Sequence, residues 1–179
     1  MKHTFLFGLL TALFFMAAIG TAQTDPYGKI DTLSLVVKQL SETSWLVSTQ
    51  IWNDEEISAF DISVKYTAGI ARLIVDSASF GDTRASYFAW KSHQVDTTGQ
   101  AINLGGLASM GPDKPPLAPG SGEIGRLYIS AVGDKKPGPF AVDTTIFKNK
   151  NKLMLVSKDA NTIVPAVKII TLKPDEIKK

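Results

Sequence analysis

The residues able to do chemistry are few. Beyond His3 the chain holds one histidine, His93, and it has no cysteine at all. A serine triad would need His93, an oriented carboxylate and a serine on a nucleophile elbow, but no Gly-x-Ser-x-Gly sequence occurs. Gly120-Ser121-Gly122 instead reads as a turn entering a strand. A zinc site would lack both thiolates and a second imidazole. The run Asp54-Glu55-Glu56 offers carboxylates, yet adjacent acids in one polar turn do not set up one raised and one ionised carboxyl for glycoside cleavage. The catalytic set is therefore empty and the chain reads as non-enzymatic. Calcium is the one cofactor compatible with the composition, since Asp and Asn side chains with loop carbonyls bind it; no particular site is indicated.

Candidates for binding are better defined. Phe60, Ile62, Val64 and Tyr66 alternate with Asp61, Ser63 and Lys65, the pattern of a strand with one buried and one wet face. Asp61, Ser63 and Lys65 thus form a polar stripe. Trp45, Val47, Thr49 and Ile51 alternate in the same way, which turns Trp52 outward, where an indole can stack on a sugar ring. Tyr87, Phe88 and Trp90 read as one strand, with Phe88 and Trp90 in the core and Tyr87 and Lys91 on the exposed face.

These residues need a sheet framework, and the whole chain supplies one. Leu33, Leu35 and Val37 open the series, and β-branched or aromatic runs recur at Ile70 to Val75, Tyr87 to Val95, Ala101 to Leu107, Ile124 to Val132, Phe140 to Phe147, Leu153 to Val156 and Ile163 to Leu172. Turn residues separate them at Gly81-Asp82, Thr98-Gly99, Gly133-Asp134, Lys150-Asn151 and Asp159-Ala160-Asn161. The pattern predicts an all-β chain of about nine or ten short strands, in an antiparallel sandwich or barrel.

Residues 1–22 read as an export signal: Lys2 is followed by an apolar stretch from Phe5 to Ile19 and by small residues up to Ala22. The expected organisation is a lead-in over 23–30, one domain over 31–172 and a charged tail over 173–179. The stretch is short for a bilayer span, so no membrane span is expected in the mature chain. The chain carries 19 basic and 17 acidic side chains with no long single-sign block, so nucleic acid is not an expected partner. The setting is secreted or extracytoplasmic, at a periplasm, cell surface or exterior.

Three patches together resemble cohesin-like domains of the carbohydrate-binding β-sandwich group. They are Trp45 to Tyr66 with its Asn53-Asp54 turn, Ser79-Phe80-Gly81-Asp82 followed by Tyr87 to Trp90, and Leu117 to Ile129 with Gly120-Ser121-Gly122-Glu123-Ile124. The resemblance covers roughly residues 31–170. It implies an all-β, antiparallel two-sheet sandwich of about nine strands, of jelly-roll type, and a non-catalytic module that recognises an extracellular protein of dockerin type, or a polysaccharide. It also implies that one sheet face makes the contact, which singles out Asp61, Ser63 and Lys65; Tyr87 and Lys91, turned outward by alternation, extend that surface if their strand lies in the same sheet, and the outward Trp52 is the alternative glycan platform. The alternative is a structural subunit or accessory of a cell-surface assembly, associating through its sheet edges. If the export signal is read correctly, mass spectrometry of the native protein should find an N-terminus near Gln23. An intact Met1 in a cytosolic fraction would defeat that reading.

Overall fold

The structure is a computed structural model and describes residues 28–109, 113–148 and 150–172. The export signal expected over 1–22 and the tail over 173–179 lie outside the described residues. No helix among the described residues is long and apolar enough to cross a membrane.

The described residues form eleven strands: β1 Thr32–Ser41, β2 Ser44–Asn53, β3 Ile57–Ala68, β4 Arg72–Ser79, β5 Trp90–Asp96, β6 Ala101–Leu107, β7 Gly120–Val132, β8 Phe140–Thr144, β9 Met154–Ser157, β10 Thr162–Ile163 and β11 Ala166–Leu172. One sheet runs β11-β1-β2-β7-β4 and the other β10-β9-β3-β6-β5, with β8 also pairing β3. The two-sheet, all-β sandwich expected from the sequence is therefore present, with eleven strands where about nine were expected. One added element arises because the last apolar run is divided by Pro165. It has no N–H to continue a ladder, so β10 stays with β9 in the second sheet while β11 crosses to the first.

That crossing adds one parallel pair to an otherwise antiparallel sandwich. β11 lies parallel to β1, from Thr32 opposite Ala166 to Lys38 opposite Leu172. The Ala166 N–H donates to the Asp31 carbonyl at 2.8 Å at the start of the pair.

Period-two alternation fills the space between the sheets. Leu33, Leu35 and Val37 of β1, Trp45, Val47 and Ile51 of β2, and Phe60, Ile62, Val64 and Tyr66 of β3 are all buried in one core. On β7 both Ile124 and Leu127 are buried although three residues apart. The register against β2 shifts between Thr49 and Gln50, placing an extra β7 residue there. This bulge re-aims the strand, and the Thr49 hydroxyl donates to the Gly125 carbonyl at 2.8 Å beside it.

The expectation for Trp90 fails. Residues 82–88 form turns rather than strand, with Phe88 N–H donating to Ala85 O at 3.1 Å. Phe88 is buried as expected, but the strand begins two residues later and its alternation starts afresh. Trp90 is 53% exposed.

Arg84 pins this turning segment. Its Nη1 donates to Ile51 O at 3.3 Å, Asn53 Oδ1 at 3.0 Å and Gly120 O at 2.9 Å, and its Nη2 to Ala118 O. The side-chain stem crosses Gly122, where φ is +148° and a Cβ would meet Arg84 Cδ at 2.8 Å. Glycine is required there twice over, for the dihedral and for the space. Ile62→Ala should cost about 2–5 kcal/mol by removing a fully buried side chain, whereas Lys65→Ala, exposed on the opposite face, should stay within about 0.5 kcal/mol. Urea melts that rank them in the reverse order would contradict this register.

Candidate functional site

The outer face of the second sheet is a shallow groove of about 600 Å³. Its side chains are set by register. Trp90 opposes Leu107, and Leu107 opposes Ala59, which opposes Val156. One step along lie Ser92, Gly105, Asp61 and Met154, and one further step Gln94, Asn103 and Ser63. The face therefore grades from an apolar row to a polar row across three ladder steps. Rigid strands carry all of it.

The apolar end is shaped by what is missing from Gly105. A Cβ there would meet Trp90 Cζ3 at 3.1 Å and Ser92 Oγ at 3.3 Å. The indole thus lies across the bare backbone of β6, held in place with much of its surface in solvent. Gly106 serves the other face: a Cβ on it would collide with the Phe60 ring in the core.

The polar end is a closed network. The buried Asn103 side chain donates from Nδ2 to Asp61 Oδ1 and, at 3.0 Å, to Ser63 Oγ, while its Oδ1 accepts from Asn151 Nδ2 at 3.1 Å. Ser63 Oγ in turn donates to the Asn151 carbonyl at 3.4 Å. Burial of an amide is tolerable because each of these groups finds a partner. Burial raises the Asp61 carboxyl above its ordinary range, and the Asn103 hydrogen bond partly opposes the rise.

The residues singled out from sequence divide among different places. Asp61 lines the groove. Ser63 points to the same face, but it is fully buried beneath Asn151 rather than solvated. Lys65 is exposed on that face, beyond the polar end and opposite Ala101 and Asp143. Tyr87 and Lys91 are not brought to them. The partly buried Tyr87 hydroxyl donates to Pro116 O at 3.0 Å, and Lys91 Nζ donates to Ser86 O at 2.8 Å and to Phe88 O, so both secure the turns before β5. Trp52 sits half-buried on β2 in the opposite sheet, between Thr32 and Ser121. Trp90, Asn103, Gly105, Leu107 and Met154 were not anticipated as lining residues. Twin glycines inside a strand pattern, Gly105-Gly106, were the available signal, because such positions mark close approach of another group.

Among the described residues one acidic group converges: Asp31, Asp54 and Glu55 place carboxylate oxygens within 4.8 Å of one another. Asp54 accepts the Lys29 N–H at 2.9 Å, the leading cause of its lowered pKa. This group lies at the end of β2 and is not part of the groove lining.

No family model matches the chain, and no curated protein matches it. Solved structures do. A cohesin from the OlpA type I cohesin–dockerin complex of Clostridium thermocellum is 15% identical with a TM-score of 0.58, covering 80% of this chain and 100% of that one. The cohesin of the OlpC complex from the same organism gives 13% and 0.60, covering 83% and 99%. A non-cellulosomal cohesin from the archaeon Archaeoglobus fulgidus gives 12% and 0.51, covering 83% and 95%. At these identities the likeness establishes the fold, a cohesin-like β-sandwich.

The Asp61 shift has a sign that can be tested. Its folded-state pKa is raised, so its stabilising share is full below the unfolded value of about 3.9 and is lost as pH rises through the higher folded value. Asp61→Asn should leave the thermal midpoint nearly unchanged at about pH 3 and raise it relative to the parent near pH 7. A difference that is flat with pH, or grows toward acid, would overturn the assignment.

Proposed function

We propose that the chain is an exported, non-catalytic module that holds an extracellular protein of dockerin type against the outer face of the second sheet. The observation that carries this reading is the Trp90–Gly105 contact: a large aromatic ring kept in solvent by the strand beneath it. Exposed aromatics on rigid supports concentrate interface energy, and the groove continues the apolar surface along Leu107, Ala59 and Met154. Asp61 ends that surface with a carboxylate oriented by Asn103. The matching partner surface has apolar side chains ending in a hydroxyl or cationic donor. Two of the similar structures are cohesins solved in complexes with dockerins, which supports a protein occupant.

Trp90→Ala and Asp61→Ala should each weaken a dockerin-bearing partner by about 1–3 kcal/mol in titration calorimetry, with the thermal midpoint within a few degrees of the parent. Trp52→Ala, on the other sheet, should bind normally. If instead Trp52→Ala abolished retention on a polysaccharide while the Trp90 and Asp61 variants behaved as the parent does, the groove would be refuted and the glycan reading would replace it.

A further inference from the structure

The polar end of the groove is closed by the chain that joins β8 to β9, two strands that pair with different halves of β3. At the start of this connection the Thr145 N–H donates to the Ser63 carbonyl at 3.0 Å. Further on, Phe147 and Asn151 exchange backbone hydrogen bonds, at 2.9 Å from the Phe147 N–H and 3.2 Å from the Asn151 N–H. The Phe147 ring is buried. Asn151 is therefore presented over the sheet from an anchored backbone.

Each polar group beneath it has one hydrogen-bond sense. Ser63 Oγ gives its proton to the Asn151 carbonyl, which leaves it to accept from Asn103 Nδ2. The other Nδ2 proton goes to Asp61 Oδ1. Asn103 Oδ1 is taken by Asn151 Nδ2 at 3.1 Å. Asn103 is only 3% exposed, so solvent does not reach it to satisfy a reversed amide. Reversal would set its oxygen against the Asp61 carboxylate and its nitrogen against the Asn151 nitrogen, donor on donor.

On the reading that the groove holds a protein partner, on which this rests, we infer that Asn151 is a positioning residue: through Asn103 it fixes the polar end of the groove as a hydrogen-bond acceptor, and so selects a partner that brings a donor. The Asn151 amide holds the Asn103 oxygen, and the Asn103 nitrogen is thereby turned to Asp61. That donor favours the ionised carboxylate, which accepts at every lone pair. Burial acts the other way on Asp61, and the Asn103 bond is what opposes it. Other charges on this face lie further off. Lys65, Asp96 and Asp143 share the ladder row of Ala101, beyond the row of Asn103. Lys148, Lys150 and Lys152 are exposed on the covering connection, His93 opposes Leu104 and turns the other way, and β6 and β9 carry no charge. None of these groups contributes to the Asp61 shift.

Carboxyl-carbon NMR of Asp61 in the free protein tests this without a partner. Asn151→Asp presents an acceptor to Asn103, draws its nitrogen round and turns its oxygen to Asp61. The Asp61 carboxyl should then titrate at higher pH than in the parent, because a carboxyl facing an oxygen keeps its proton. Asn151→Ala should move it the same way by less. A new charge alone would also raise it, and the Asn103→Leu background separates the two causes: there Asn151→Asp should move Asp61 far less. Circular dichroism melts check that each variant is folded. Calorimetry with a dockerin-bearing partner should show affinity about tenfold lower at about one pH unit below the Asp61 titration, where roughly one carboxyl in ten stays ionised. In Asn151→Asp that loss should set in at correspondingly higher pH. An Asp61 titration unmoved by Asn151→Asp, or moved equally in the Asn103→Leu background, would overturn the inference, as would an affinity that ignores the moved titration. A parent that binds no dockerin-bearing protein would instead defeat the dockerin-binding function, and the free-protein titration would still decide the role of Asn151.

Discussion

The register of β3 is the constraint on which the rest depends. This strand pairs with β6, β9 and β8, so it is the junction of the second sheet. Its inner row, Phe60, Ile62, Val64 and Tyr66, fills the core, while its outer row contributes Ala59, Asp61 and Ser63 to the groove face. Because side chains alternate with a period of two, a slip of one residue would exchange the rows. It would drive a carboxylate and an ammonium into the core and expose four large apolar side chains, a penalty far beyond ordinary stability margins. Core and groove are therefore specified by the same pattern.

The glycine pair on β6 shows how both faces of one strand are tailored to large rings. Gly105 receives Trp90 from outside and Gly106 receives Phe60 from inside, at adjacent positions. Glycine weakens a strand, and the rings return what the backbone loses by packing against it. Phe60 then meets Phe80 at 6.3 Å and Phe88 at 5.9 Å between ring centroids, linking β6 to the segment before β5. The groove floor thus rests on a packed aromatic layer.

Much of this was legible in the sequence. Strict alternation gave β1, β2 and β3 with their inward residues, since half-buried strands write their orientation directly into residue order. Asp61 was placed on the outer face because it alternates with the apolar row Phe60, Ile62, Val64 and Tyr66. Ser63 was placed on the right face but assumed wet, because its cover, Asn151, is 88 positions away and alternation says nothing about what lies over a face. Asn103 was missed for a related reason: a lone amide in a run as apolar as Ala101 to Leu107 becomes meaningful only once β3 and β6 are paired. The parallel β1–β11 pair escaped because strand patterns carry no direction. Trp90 was assigned to the core by counting from Phe88, a count valid only if both stand on one strand.

Why they do not stand on one strand leads to a residue distant from the groove. The Arg84 guanidinium gathers carbonyls from the ends of β2 and the loop before β7, at Ile51, Ala118 and Gly120, together with the Asn53 side chain. That clamp, with the Arg84 N–H donating to Glu123 O at 2.8 Å, holds the chain against the first sheet while residues 82–88 turn. Lys91 closes the same turns by donating to the carbonyls of Ser86 and Phe88. Phe88 is thereby committed to the core, and Ala89 hands the chain to the second sheet by donating to Ala108 O at 2.9 Å. Strand alternation begins only there, and its first residue is Trp90, facing out. The exposure of the indole is thus decided by a partly buried cation on the far side of the turn, and the two sheets set the groove jointly.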